Sequence, residues 1–210
     1  MGDRTLTLLL ARHGETLWNA EGRWQGQTDV PLSDIGRLQA RLLGARIGRL
    51  WEKGALPIPV LAFSSDLSRA RETAELLLQN ARKTLPIETD PDLRERYFGS
   101  WEGKTSEEAG SPPGSGERAA DAEDYASVWV RMNRALETIW ERNQDTVLVV
   151  GHGGSLRALL ARAAGLGSEG VHRFALANTS LSVVTFTGPT LSESKSRLMR
   201  VNDIAHLEEI

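Results

Sequence analysis

Two histidines in the 210-residue chain follow short apolar runs and are flanked by glycine. Thr5 to Ala11 is uncharged and leucine-rich and reads as a strand buried on both faces, stopping at Arg12-His13-Gly14. Thr146 to Val150 stops in the same way at Gly151-His152-Gly153-Gly154. At the carboxyl ends of strands in an open α/β sheet, loops begin, helix N-termini point inward and ligands bind. His13 and His152 are therefore candidates for chemistry, and Gly14, Gly153 and Gly154 would let backbone N–H groups approach a bound anion closely. The arginines also point to an anion. Arg69 and Arg71 fall in the first turn of a helix, where a cation opposes the helix dipole. An anion at that end offsets the repulsion, and Arg12 adds a second guanidinium whose fork suits phosphate. Arg71 reads instead as the partner of Glu72 or Glu75. An acid comes from Glu95, Glu102 or Glu15, among which spacing does not choose.

Other templates fit less well. The chain has no GxxxxGK[ST] run and no HExxH, which removes a P-loop and the commonest zinc motif. Gly151 to Gly154 is like the oxyanion segment of some lipases, but no Ser has Gly at both the second position before it and the second after it, so a nucleophile elbow is missing. A metal held by two histidines and a carboxylate is the remaining alternative.

The elements that must position these residues alternate between strand and helix. Ser33-Asp34 caps a helix with apolar positions at Ile35, Leu38, Leu42 and Ala45, widened by Leu43, Ile47 and Leu50. Pro57 to Phe63 reads as a strand. Ser64-Ser65-Asp66 then caps a helix whose core face is Leu67, Ala70, Ala74, Leu77 and Leu78. A helix over 125–143 leads into the strand at 146, and Ser155 to Ala164 is helical. Leu181 to Phe186 and Arg197 to Asn202 form a terminal strand pair joined through Gly188-Pro189. The expected fold class is α/β, a layered sandwich with a mostly parallel central sheet flanked by helices, in one domain over 1–210. Residues 102–124 depart from the pattern, with seven acidic residues against two basic ones and the run Pro112 to Gly116. A flexible acidic insertion at about 104–124 is expected, a solvated loop or a lid.

Composition narrows the function classes. Lys plus Arg (25) nearly balances Asp plus Glu (28), so the net charge of −3 offers no general attraction to nucleic acid or an anionic membrane. The apolar runs are far short of the roughly 20 residues a membrane span needs. The absence of Cys removes disulfide and thiolate chemistry. A cytoplasmic location is expected.

Several blocks together resemble the histidine phosphatase superfamily, the phosphoglycerate mutase-like proteins. Leu10 to Asn19 is similar to its RHGxTxxN signature, and Gly26, Asp29, Pro31-Leu32, Gly36 and Gln39-Ala40 to the segment that follows. Ser64 to Ala70 with Thr73-Ala74 resembles the SxLxRAxxTA block, Leu93 to Gly103 the LxExxFGxWEG block, and Val149 to Gly154 the VxHGG block. The resemblance spans residues 8 to about 160. It implies that His13 attacks phosphorus to give a phosphohistidine, and that Arg12, Arg69 and His152 hold the phosphoryl oxygens, with Asn19 and Gly153 in the same cradle. Glu95 becomes the acid for the leaving alcohol, and His152 is expected to be protonated beside the phosphate. No cofactor and no metal are implied, and the partner is a small phosphomonoester; a homodimer is compatible. The mutases of the family carry a Tyr-Gly-x-Leu-x-Gly-Leu-Asn-Lys run and a paired-arginine segment. Here the run is Phe98 to Lys104 and no adjacent arginines follow, so the chain is closer to the broad-specificity and α-ribazole phosphatase branch. The Gly-Glu-Ser common in that branch is Gly116-Glu117-Arg118 here. The alternatives are a phosphoglycerate mutase and a non-catalytic phospho-ligand binding module.

Overall fold

The computed structural model describes residues 2–111 and 117–209; the Pro112 to Gly116 run lies outside the described residues. Six strands, β1 (Arg4–Arg12), β2 (Leu61–Ser64), β3 (Ile87–Thr89), β4 (Thr146–Gly151), β5 (Leu181–Gly188) and β6 (Lys195–Asp203), form one sheet in the order β3-β2-β4-β1-β5-β6. The first four run parallel, and β5 is antiparallel to both β1 and β6; six residues, 189–194, join β5 to β6 rather than the Gly188-Pro189 pair alone. Helices α2 (Asp34–Glu52) and α3 (Ser68–Asn80) cover one face, and α4 (Tyr125–Glu141) and α5 (Gly153–Ala163) the other; α1 (Leu17–Ala20) is a single turn after β1.

Alternation along β1 sorts its side chains between two cores. Leu6, Leu8 and Leu10 join Val147, Val149, Leu136 and Leu159 beneath α4 and α5. Leu9 and Ala11 join Val150, Leu43, Ile47 and Leu77 beneath α2 and α3. Both faces of the strand are buried, which explains its near-continuous apolar run.

Three local expectations are corrected. In α2, Ile35 and Leu38 are 50% and 41% exposed, whereas Gly36, Ala40, Leu43, Gly44, Ile47 and Trp51 are buried. Small residues define that face: a Cβ at Gly44 would lie 2.3 Å from the Leu77 carbonyl oxygen, so the helices touch through backbone there. Strand pairing in β2 begins at Leu61 rather than Pro57, because Pro57 and Pro59 have no N–H for a ladder. Finally, α3 is not capped by Ser64 to Asp66. Its N-cap, Leu67, makes no side-chain cap bond, and Asp66 pairs with Arg94 instead. The cap comes from a distant loop, where Asp29 Oδ1 accepts from Ser68 N at 2.9 Å and Ser68 Oγ at 2.8 Å. Ser33 does cap α2, accepting from Gly36 N.

The described flanks of the acidic stretch are tied to the body. Asp121 accepts from Ser100 N, Glu123 pairs with Arg131, Glu108 pairs with Arg23, and Ala119 and Ala122 are buried.

Candidate active site

Parallel pairing brings the two histidines together. The β1–β4 register sets Arg12 beside Gly151, and His13 N donates to Gly151 O at 2.9 Å. The next residues of the two strands therefore emerge side by side, and the His13 and His152 rings lie 5.0 Å apart between centroids. Next to β4, β2 ends at Ser64 opposite Val150, which places the start of α3 and its Arg69 at the same sheet edge. A pocket of about 260 Å³ opens there, lined by Arg12, His13, Asn19, Arg69, Glu95 and Gly153, with Trp24, Gln25 and Arg157 at its margin. His152 packs behind it, fully buried.

The hydrogen bonds fix both tautomers. His13 Nδ1 is 2.7 Å from Gly14 O, so it donates and leaves Nε2 with a free lone pair. Burial, then the positive charges of Arg69 and Arg12, hold His13 well below its ordinary 6.5, against the raising pull of the Gly14 carbonyl. His152 Nδ1 accepts from Arg69 Nε at 3.2 Å, so the proton of the neutral ring sits on Nε2, a buried atom with no other partner. Burial first, then Arg69, His13 and Arg12, lower His152 strongly as well. The expected protonation of His152 refers to the ring beside a phosphate dianion, whose charge opposes these shifts. Beside two guanidiniums the ring is a neutral donor, and its N–H contributes a hydrogen bond without a charge.

Arg69 is fully buried, and its guanidinium donates to Gly26 O at 2.6 Å and Thr28 O at 2.8 Å as well as to His152. Of its five N–H groups two remain. Burial lowers its pKa to about 10, opposed by Glu95, Asp29 and Glu102, so it stays a cation at neutral pH. Arg12 donates to Leu176 O at 2.6 Å and keeps a buried Nε without a partner. No carboxylate lies within salt-bridge distance of either guanidinium among the described residues, whereas Arg71 pairs with Glu75 on the surface. Desolvated guanidiniums without a salt bridge, with Arg12 Nε and His152 Nε2 buried and unpartnered, have the chemistry to hold an anion.

Geometry also separates the three acids. Glu102 accepts from Gln27 N, Thr28 N and Phe98 N and organises the 26–28 loop. Glu15 accepts from Ser33 Oγ at the head of α2. Glu95 alone of the three lines the pocket, its carboxylate held by Gly154 N at 2.9 Å and 3.0 Å and by Arg96 N at 2.8 Å. Asn19 Oδ1 accepts from Thr16 N and from Asn178 Nδ2, leaving its own amide N–H groups for the pocket. Two of the three glycines, Gly14 and Gly154, use their N–H groups within the protein. Gly14 N donates to Thr73 Oγ1, and a Cβ at Gly14 would lie 2.4 Å from Gly36 O, so the two backbones pack directly. Gly154 N holds Glu95, and a Cβ at Gly153 would touch Arg12 Nε and Glu95 Oε2, both at 3.6 Å. Of the aromatics, Trp24 lines the pocket and packs on Phe98 and Trp101, while Trp18 lies against Gly103.

Three contributors escape a sequence reading. Asn178 donates to His13 O at 3.0 Å from a loop 165 residues away. Thr73 links Gly14 N to Arg69 O. Arg157 stands one helical turn beyond Gly153, and that i, i+4 spacing was the available signal. Among the described residues no group of three His, Asp or Glu side chains converges as a metal site requires, and no helix is long and apolar enough to cross a membrane.

The sheet thus carries an Arg-His turn and a His-Gly-Gly turn on adjacent strands of an α/β protein. The chain belongs to the histidine phosphatase superfamily, branch 1, whose family model matches residues 8–197. A metal-independent phosphoserine phosphatase of Arabidopsis thaliana is 33% identical over 215 residues, covering 97% of this chain and 84% of the relative. A probable phosphoglycerate mutase, GpmB of Yersinia pestis, is 35% identical over 217 residues, covering 97% of this chain and 95% of the relative. Among solved structures, Bacillus stearothermophilus YhfR matches with a TM-score of 0.79 at 29% identity, over 96% of this chain and 99% of that one. The fold is accordingly phosphoglycerate mutase-like, and the superfamily includes both phosphatases and mutases.

Proposed function

We propose that the protein is a metal-independent phosphomonoesterase that hydrolyses small phosphorylated metabolites through a phosphohistidine on His13. The observation that carries the reading is the His13 Nδ1 bond to Gly14 O at 2.7 Å, which aims an unprotonated Nε2 into a pocket flanked by two carboxylate-free guanidiniums. Names among the relatives, a phosphoserine phosphatase and a probable phosphoglycerate mutase, support a phosphomonoester substrate.

In this mechanism Nε2 of neutral His13 attacks phosphorus and the bond to the leaving oxygen breaks. Glu95, carrying a proton, delivers it to that oxygen. Arg12, Arg69, the Nε2–H of His152 and the Asn19 amide stabilise charge on the equatorial oxygens, which is most of what phosphoryl transfer asks of a protein. Water then attacks the phosphohistidine, Glu95 takes its proton, and the N–P bond breaks to release inorganic phosphate and restore neutral His13. Transfer to a second hydroxyl, as in a mutase, is less well supported because no adjacent arginine pair follows Glu95 in the sequence.

The test is p-nitrophenyl phosphate hydrolysis in excess EDTA by wild type and His13→Ala, followed by assay of 3-phosphoglycerate. Turnover that survives chelation and falls at least 1,000-fold in the variant is expected (about 4 kcal/mol of barrier), with inorganic phosphate rather than 2-phosphoglycerate as product. Full activity in His13→Ala, or loss to EDTA, would overturn the reading.

A further inference from the structure

We infer that Arg157 is a specificity residue that grips a carboxylate on the alcohol side of the substrate, so that the preferred substrates are phosphorylated carboxylic acids. The inference rests on the phosphomonoesterase reading and adds a second recognition point to it.

Arg157 is not needed for the phosphoryl cradle described above, yet it lines the same pocket. It lies close enough to Arg12 for its charge to lower that residue's pKa. Two contacts lock its orientation. Its Nε donates to Gly153 O at 3.1 Å, and one terminal nitrogen donates to the Tyr125 hydroxyl at 2.9 Å. Three of its five N–H groups are left over. Like Arg12 and Arg69, it has no carboxylate partner among the described residues. Arg23, which also lines the pocket, is paired with Glu21 and Glu108. The pocket thus holds three guanidiniums without a salt-bridge partner, and the single acid facing them, Glu95, acts by its charge on Arg12 and Arg69. A fixed guanidinium with a free edge matches a planar carboxylate bidentately. Because the side chain is held in advance by Tyr125 and Gly153, little rotamer freedom is lost on binding.

The test is a ratio, which a purely structural role for Arg157 would not move. For wild type, Arg157→Lys and Arg157→Gln, kcat/KM is measured on O-phosphoserine and 3-phosphoglycerate, and on O-phosphoethanolamine and glycerol 3-phosphate, which lack the carboxylate. Wild type is expected to favour the acids, and Arg157→Gln to reduce the ratio of acid to matched carboxylate-free substrate about 10- to 100-fold, mainly through KM, as expected when a hydrogen bond to a charged group is removed. Arg157→Lys keeps charge without the fork and recovers part of the ratio. Tyr125→Phe, which frees the guanidinium without removing it, lowers the ratio by a smaller factor and serves if Arg157→Gln folds poorly. An unchanged ratio in Arg157→Gln would overturn the inference, as would a wild type that hydrolyses both sets equally or prefers a bisphosphate. Wild type inactive on every phosphomonoester would instead overturn the phosphomonoesterase reading itself.

Discussion

Gly154→Ala is a test in which helix propensity and site geometry predict opposite things. Gly154 is the second residue of α5, and a helical Gly→Ala change ordinarily stabilises by up to about 1 kcal/mol. Here the added Cβ would lie 2.3 Å from Glu95 Oε1 and 3.3 Å from the Glu95 carboxyl carbon. Non-bonded heavy atoms rest about 3.5 Å apart, so the carboxylate must retreat by about 1 Å. A displacement of that size at a reacting group is worth about 100-fold in rate. The loss should fall on kcat/KM for alkyl phosphates, whose leaving oxygen needs the proton from Glu95. p-Nitrophenolate departs without one, and because kcat/KM stops at the first irreversible step it is spared the second role of Glu95; a loss below about 5-fold is expected there. On a Glu95→Gln background the same change should add less than about 2-fold, since both act through one group. The melting temperature should stay within about 3 °C of wild type. Equal losses on both substrate types, or an additive double mutant, would refute the assignment of Glu95 as the leaving-group acid.

Two further outcomes concern stability. His13, His152 and His206 are buried and their pKa values lie below 6.5, that of His206 at about 4 through burial and then Arg46, opposed by Asp203. The unfolded chain therefore binds more protons, so this stability is complete above about pH 6.5 and declines as pH falls below it, by up to about 1.4 kcal/mol per pH unit for each histidine. Urea unfolding at pH 7.5 and 5 measures the decline, and equal free energies at the two values would contradict it. Arg131 joins Glu123, through contacts at 2.7 Å and 3.0 Å, to the carbonyls of Asp92, Arg94 and Glu95. Arg131→Met should cost about 3 kcal/mol in thermal or urea unfolding, because it strands a mostly buried Glu123, and should also lower kcat through the loosened Glu95 backbone. A loss below about 1 kcal/mol would show the network to be dispensable.

The parts legible in the sequence are those written locally. β1 and β4 are visible because both faces are buried and a glycine turn ends each run, and His13 and His152 follow from the strand ends. Arg12 and Arg69 could be linked to an anion by charge alone. The choice of Glu95 over Glu102 and Glu15 could not, since it depends on which loop the Gly154 N–H reaches. Long-range devices are equally silent. Asp29 caps α3 from 39 residues away, and Asn178 braces His13 from 165. β3 has three residues and little apolar content, so its existence depends on the neighbouring edge of β2. The buried face of α2 was obscured for a different reason. Periodicity follows large apolar side chains, whereas contact with α3 is made where side chains are absent. His152 shows the same limit in electrostatics, because its lowered pKa follows from burial and then Arg69, and its tautomer from Arg69 Nε meeting Nδ1.

The central claim is a covalent phosphohistidine on His13, and the most direct measurement of it is the stereochemical course at phosphorus with a phosphomonoester made chiral by oxygen isotopes. Two in-line displacements, first by His13 Nε2 and then by water, each invert the centre, so the account predicts net retention in the inorganic phosphate released. Net inversion would mean that water attacks the substrate directly, and His13 would then be a ligand or a base rather than the nucleophile.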